Sequence, residues 1–320
     1  MVLGLIWWIA IFVLSLAVLV KASDYFTDYA EKVGLALGIP AFLTGVTIVA
    51  IGTSLPELIS SVFAVLAGST EFVVGNVIGS NIANIFLVLG IAAIIGRKLK
   101  ISYELIHVDL PLLVASAFLF TIAIWDGVFS LFEAILFLIA FAIYMLYTIR
   151  IHKKGRENII KKELRGEIKR EKIGLKIWTV LIISAAFIFL GAKFTVDSVI
   201  QIAQILNIGA EVIAVTAVAL GTSLPEVFVS FSAARKGKSG IAVGNILGSN
   251  IFNTLAVMGF SGLIAPLIIP TNLLLFALPV MIMATLLYYF ITQDKEITLW
   301  EGWFAVVIYV LFIAKIFNLF

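Results

Sequence analysis

Two glutamates set the chemistry available to this chain. Glu57 and Glu226 close the matching segments Ala50-Ile-Gly-Thr-Ser-Leu-Pro-Glu57 and Ala219-Leu-Gly-Thr-Ser-Leu-Pro-Glu226, and each lies near the middle of a long apolar run. A carboxylate at the centre of a bilayer is costly and needs a partner. No Lys or Arg stands at comparable depth in either segment. The pair must therefore be protonated or share a cation. Two carboxylates meeting across a pseudo-two-fold axis make a doubly negative site, which matches one divalent ion.

The neighbouring residues supply neutral oxygens. Pro56 and Pro225 have no N–H to donate and clash with the carbonyl four residues earlier. Carbonyls at Gly52/Thr53 and Gly221/Thr222 thus become candidate ligands, from backbone expected to be broken where it lines a cavity. Thr53, Ser54, Thr222 and Ser223 add hydroxyls. A second pair of segments, Gly75 to Asn84 and Gly244 to Asn253, contributes Ser80 with Asn84 and Ser249 with Asn253. Each Ser and Asn are four residues apart and share a helix face.

This inventory is all oxygen. Hard cations such as Ca²⁺ take about six to eight such ligands, whereas soft transition metals prefer Cys or His. The chain has no cysteine, and its two histidines, His107 and His152, stand outside the motifs. Calcium or sodium is the expected ligand. Zinc, copper and iron are not, and no cofactor is called for. The absence of cysteine also rules out disulfides.

The elements that must hold these residues are membrane helices. The 320 residues are 62% hydrophobic and 13% charged, where a soluble domain is typically about 45–50% apolar and about 25% charged. The mean hydropathy is +1.17. Apolar runs long enough to cross a bilayer fall near 2–20, 38–67, 72–95, 105–125, 127–149, 175–200, 209–234, 240–264, 270–292 and 298–319. The first lacks a basic n-region and a small-residue cleavage site, so it reads as a helix rather than a signal peptide.

The polar segment Arg150 to Lys176 carries eleven Lys or Arg and reads as a solvated linker, with weak helical support from Glu157 with Lys161 and Glu167 with Arg170. The remaining basic residues decide orientation. Lys21, Lys32, Arg97, Lys98, Lys100, Arg235, Lys236, Lys238 and Lys295 all fall on the linker's side, and only Lys193 and Lys315 fall toward the other. Both termini are expected to be extracellular and the linker cytoplasmic. The net charge of +3 follows from this topology and does not point to nucleic acid.

The two Thr-Ser motifs match at seven of eight positions and the two Asn motifs at seven of ten, and both pairs are separated by 169 residues. The same shift aligns Asp28 with Asp197. A constant offset means two copies of one unit, 1–149 and 175–320, joined by 150–174. Five spans per copy is an odd number, so the second copy inserts upside down. The expected fold is an all-α membrane protein with ten transmembrane helices as two inverted five-helix repeats. Inverted repeats with Gly/Pro-interrupted helices at corresponding positions mark secondary transporters.

The paired motifs resemble the α-repeats of the cation/Ca²⁺ exchanger superfamily, especially prokaryotic Na⁺/Ca²⁺ exchangers. The resemblance extends to the ten-span layout and so covers most of the chain. It implies electrogenic Na⁺/Ca²⁺ exchange by alternating access, with ions held between the second, third, seventh and eighth helices. On that resemblance Glu57 and Glu226 ligate both ions, and the backbone of Thr53 and Thr222 helps hold Ca²⁺. Ser54, Ser223, Ser80, Ser249 and the carbonyls of Ala50 and Ala219 serve Na⁺, and Asn84 completes the first-copy group. Potassium-dependent relatives carry Asp at the position of Asn253; the Asn here argues against K⁺ co-transport. The proton-coupled branch usually carries Gly-Asn-x-x-Glu where this chain has Gly-Thr-Ser-Leu-Pro-Glu, which favours Na⁺ coupling.

The expected function is therefore transport rather than catalysis: a Na⁺/Ca²⁺ antiporter of the cell membrane, monomeric, whose partners are small cations and membrane lipid. A H⁺/Ca²⁺ exchanger is the nearest alternative, since protons compete for the same carboxylates. A passive cation channel is more remote, because oxygen-lined sites also build selectivity filters. Access is expected to switch when 2–20, with its polar extension to Lys32, and 175–200 slide against the rest. Other features have plainer readings. Gly45, Gly52, Gly79 and Gly248 suit close helix packing. Asp109 and Glu133 have no carboxylate counterparts in the second copy and read as structural or interfacial. Trp7, Trp8, Trp300 and Trp303 suit interfacial belts.

Overall fold

The structure, a computed structural model, describes residues 2–100, 109–164, 174–206 and 222–316. Among these, the chain forms ten helices: α1 (Val2–Leu37), α2 (Ala41–Leu66), α3 (Thr70–Gly96), α4 (Asp109–Ala123), α5 (Leu131–Leu164), α6 (Leu175–Ile205), α7 (Leu224–Arg235), α8 (Ser239–Gly262), α9 (Leu273–Ile291) and α10 (Leu299–Ile316). Eight of them are long and apolar enough to cross a membrane. The exceptions are α4 and α7, which abut the undescribed stretches 101–108 and 207–221. The expected spans 105–125 and 209–234 thus lie partly outside the described residues, as does His107.

Two helices outrun their apolar segments. The first was expected to end as a span near residue 20, yet α1 continues unbroken to Leu37. Its polar half carries Asp24, Asp28 and Glu31, which find cationic partners on the α7–α8 turn. Likewise α5 runs past residue 149 to Leu164, so the first part of the expected linker is helical. The pair Glu157 and Lys161 lies on that helix; Glu167 and Arg170 lie outside the described residues.

The apolar window of α8 is wholly buried and that of α3 is 72% buried, against 17% for α1. The core is thus built from α2, α3, α7 and α8, with α5 packed on α8, α10 on α3, and α9 on α4. Outside it, α1 and α6 lie along one another and touch the core mainly where α1 meets α7. They approach closely at Gly191, where a Cβ would stand 3.1 Å from that of Leu19. Ser15 and Thr195 hydroxyls bond across the same seam at 2.9 Å.

The offset of 169 reappears in the packing. Strand β1 (Lys98–Lys100) pairs with β4 (Glu296–Thr298), and β2 (Val128–Phe129) pairs with β3 (Leu267–Ile268). Leu99 faces Ile297 in one ribbon and Val128 faces Ile268 in the other, which is the same pairing with the copies exchanged. The α2–α3 and α7–α8 turns match too, each closing on a left-handed glycine, Gly68 (φ 83°) and Gly237 (φ 72°), where a side chain would be strained.

Glu133 corrects one expectation. It does have a counterpart, Glu301, displaced by one residue from the common offset. Each accepts from the backbone N–H (2.6 Å) and hydroxyl (2.8 Å) of a residue three positions earlier, Ser130 or Thr298. Both are capping boxes that satisfy the first turn of α5 and α10.

The glycines divide. A Cβ on Gly45 would stand 2.5 Å from the Ile241 carbonyl, and one on Gly248 would overlap the Val46 carbonyl, so both let α2 and α8 touch backbone to backbone. Gly52 faces the Phe26 ring, whereas Gly79 meets nothing within 4 Å and is not a packing glycine. Trp7, Trp300 and Trp303 are exposed on the apolar exterior.

Candidate cation site

Glu57 sits on α2 and Glu226 in the first turn of α7, where the exposed N–H groups of a helix start favour negative charge. Both are buried, with 1% and 0% of their surface exposed. Their side chains lie close enough for like-charge repulsion, and no Lys or Arg is paired with either among the described residues. Ser54 Oγ donates to Glu226 Oε1 at 2.8 Å, which links the copies directly. Thr53 and Ser249 lie beside the same carboxylate.

The prolines behave differently in the two copies. Helix α2 passes through Pro56 without breaking, contrary to expectation; the local loss is the N–H that would have reached Gly52. Its irregularity lies earlier, in a wide π-type turn at Gly45–Val49 that delivers Ala50. In the second copy α7 starts at Leu224 with Pro225 in its first turn, so Thr222 and Ser223 are outside the helix. There the proline costs no helical bond. Wide turns also begin at Asn84 in α3 and at Phe252, one residue before Asn253, in α8. Such turns often mark functional positions in helices.

Of the twelve expected site residues, eleven are described; Ala219 lies outside the described residues, as does Gly221. Ala50, Thr53, Ser54, Ser80, Asn84, Ser223, Ser249 and Asn253 are all buried, and Thr222 is half-buried. Ser80 and Thr222 hydroxyls are 3.4 Å apart. Asn84 donates through Nδ2 to Asn250 Oδ1 at 3.2 Å, which leaves its own oxygen free to ligate. Among the described residues, both oxygens of Glu57, Glu226 Oε2, Ser223 Oγ, Ser249 Oγ, Asn84 Oδ1 and Asn253 Oδ1 are buried with no hydrogen-bond partner. Buried polar atoms normally find one. This oxygen set, with two negative charges, has the composition of a hard-cation site. Among the described residues, no three His, Cys, Asp or Glu side chains are grouped so as to hold a metal ion by themselves. The charge of the site rests on the glutamate pair.

Four residues that the motifs left unassigned tie the site together. Thr53 Oγ1 donates to Asn245 Oδ1 (3.1 Å), and Asn245 Nδ2 donates to Ser230 Oγ (3.0 Å). In the other copy Thr222 Oγ1 donates to Asn76 Oδ1 (3.2 Å), and Asn76 Nδ2 donates to Ser61 Oγ (3.2 Å). Every member of one relay is 169 residues from its equivalent. Each relay also crosses from one copy to the other. The offset was the signal that could have found them. Asp109, by contrast, lies apart at the start of α4, and its buried carboxylate has no hydrogen-bond partner among the described residues.

Access to the site differs on its two sides. A cavity of about 180 Å³ reaches Thr222, Pro56 and Pro225 from one side, bounded by Ser60 and by Lys193, Val196 and Asp197 of α6. The opposite side is covered by α1 against α7.

Comparison with known proteins places this geometry. The family model described as sodium/calcium exchanger protein matches residues 7–150 and 176–317. The sodium/calcium exchanger MaX1 of Methanosarcina acetivorans is 36% identical over 96% of this chain and 97% of its own. The inner membrane protein YrbG of Escherichia coli is 32% identical over 80% of each chain. The solved structure of the sodium-calcium exchanger NCX_Mj, soaked with Na⁺ and Sr²⁺, superimposes with a TM-score of 0.82 at 31% identity, over 97% of this chain and 99% of that one.

Proposed function

Since the chain belongs to the sodium/calcium exchanger family, we propose that it is a secondary antiporter exchanging Ca²⁺ for Na⁺ across the cell membrane by alternating access. The observation that carries this reading is the pair of buried glutamates, one from each copy, ringed by unpartnered oxygens and, among the described residues, without a cationic partner. Glu57 and Glu226 are assigned to both ions. The remaining oxygens come from Thr53, Thr222, Ser54, Ser223, Ser80, Ser249, Asn84 and Asn253, with the carbonyls of Ala50 and Ala219.

The ten helices are read as two inverted repeats, with both termini outside and the 150–174 segment in the cytoplasm. The exchanged pairing of the ribbons and the crossed relays support the two-fold relation. The side-by-side pair α1 and α6, with few attachments to the core, suits a unit that slides to switch access.

Uptake of ⁴⁵Ca²⁺ into proteoliposomes tests the coupling. An outward Na⁺ gradient should drive uptake, and Glu57→Gln or Glu226→Gln should abolish it. If a pH gradient drives uptake and a Na⁺ gradient does not, the chain is a proton-coupled exchanger and the sodium reading is wrong. Flux that continues with no counter-ion would identify a channel.

A further inference from the structure

The pseudo-symmetry of this chain breaks where α1 meets the α7–α8 turn. On the α1 side, Arg235 Nη2 contacts both oxygens of Asp24 (2.8 and 2.6 Å), and Ser232 Oγ donates to the same carboxylate (2.6 Å). Lys236 reaches Asp28 (2.8 Å) and the Asp24 carbonyl (2.7 Å). Lys238 bridges Asp28 (2.5 Å) and Glu31 (2.8 Å). Three acids of α1 are thereby fastened to three bases at the α7–α8 turn.

Shifting each member by 169 residues gives a different chemistry. Asp24 becomes Lys193, Asp28 becomes Asp197 and Glu31 becomes Ile200, while Arg235, Lys236 and Lys238 become Leu66, Ala67 and Ser69. The α2–α3 turn has the same backbone as the α7–α8 turn but no base to offer α6.

The location gives the cluster its meaning. The open cavity is lined by Ser60, Ala192, Lys193, Val196 and Asp197. Their counterparts are Val229, Ser23, Asp24, Thr27 and Asp28. Of these, Val229, Ser23 and Thr27 have no exposed surface, and the two acids are held in the cluster. The cluster therefore sits over the symmetry mate of the open mouth.

We propose that the Asp24/Asp28/Glu31–Arg235/Lys236/Lys238 cluster is a conformational lock. It holds α1 against the α7–α8 turn, keeps the mouth on the linker's side closed, and makes the two access states unequal in energy although the repeats that build them are alike. The lock rests on the alternating-access reading. Opening that mouth requires at least some of these pairs to separate, which biases the resting population toward the opposite opening.

The chain has no cysteine, so single reporters can be introduced without removing any. Thr27→Cys reports the closed mouth and Val196→Cys its open counterpart, each read as a maleimide labelling rate on the full chain in detergent. Neutralising the lock with Arg235→Gln and Lys236→Gln should raise labelling of the Thr27→Cys protein about tenfold and lower that of the Val196→Cys protein. The charge-keeping pair Arg235→Lys and Lys236→Arg should preserve the original rates. Added salt should speed Thr27→Cys labelling in the unmodified lock and not in the neutralised one.

Unchanged labelling in the Gln variants overturns the lock. So does a rise at both reporters, which would mean general loosening of the fold. The underlying transport reading fails separately: a lock that responds in a protein moving no Ca²⁺ under any gradient leaves the lock standing and removes the antiporter.

Discussion

Asn245→Ala is the most informative single perturbation of the site. Asn245 ligates nothing in the proposed site, yet it makes two buried hydrogen bonds, to Thr53 and to Ser230. Removing it leaves the Ser230 hydroxyl without its partner and the Thr53 hydroxyl with only a 3.3 Å bond to the Ala50 carbonyl, at positions 0% and 2% exposed. A net hydrogen bond contributes about 1 kcal/mol, and a stranded buried group costs about 1–3 kcal/mol. If Thr53 is positioned by this relay, about 1–2 kcal/mol should appear as lost Ca²⁺ binding, roughly 5- to 30-fold in Kd. Ser230→Ala cuts only the outer bond and leaves the acceptor for Thr53, so its effect should be smaller. The equivalent Asn76→Ala should also cost less than Asn245→Ala, because Thr222 borders the open cavity and water can replace its partner. Calorimetric Ca²⁺ titration in detergent, with thermal unfolding run in parallel, measures both terms. A folded Asn245→Ala protein binding Ca²⁺ within about twofold of the parent would refute the positioning role, since that margin is below one net hydrogen bond. A Ser230→Ala protein weaker than Asn245→Ala would refute the order of the relay.

Further perturbations probe the scaffold and the charge count. Gly244→Ala should destabilise by about 1–3 kcal/mol, because its Cβ would overlap the Phe42 carbonyl, whereas Gly79→Ala, with open space around it, should be close to neutral in the same thermal assay. Glu133→Ala and Glu301→Ala should each lower stability by about 0.5–2 kcal/mol through loss of a capping box while leaving Ca²⁺ affinity unchanged in titration. Asn253→Asp places a third carboxylate beside the glutamate pair. It adds charge only when it sheds its proton, so Ca²⁺ affinity should rise more steeply with pH than in the parent; titrations at several pH values would show equal slopes if Asn253 is remote from the ion.

What could be read from the chain, and what could not, follows from which interactions are local. The Thr-Ser and Asn motifs locate Glu57, Glu226 and their oxygen neighbours because a buried carboxylate without a base is anomalous wherever it occurs. Asn76 and Asn245 stand in the same motifs and share the common offset, but each serves the Thr of the other copy, and no spacing within one motif shows a partner across the two-fold axis. The length of α1 was hidden for a similar reason. Asp24, Asp28 and Glu31 end the apolar run, and the bases that neutralise them stand more than 200 residues away. Glu301 escaped pairing with Glu133 because the capping residue comes one position early, at Thr298 rather than residue 299. Pro56 looked like a break because a proline removes one helical bond, yet α2 runs on through it.

On the proposed function, the two-glutamate site also gives a physical reason for exchange rather than leak. With both carboxylates ionised and no cation bound, the site would carry two negative charges on buried side chains, and moving between access states in that form would be expensive. On the proposed function, bound Ca²⁺ or Na⁺ offsets this charge, so the loaded forms should reorient more readily than the bare one. Coupling then needs no mechanical link between the two ions beyond competition for the same oxygens. The lock adds a second condition. It sits outside the site and contributes nothing to ligand binding, so it shifts the resting orientation without choosing the ion. On these two proposals selectivity and orientation would be set by different residues: the former by oxygens contributed alike by the two copies, the latter by charges that only one copy of the turn provides.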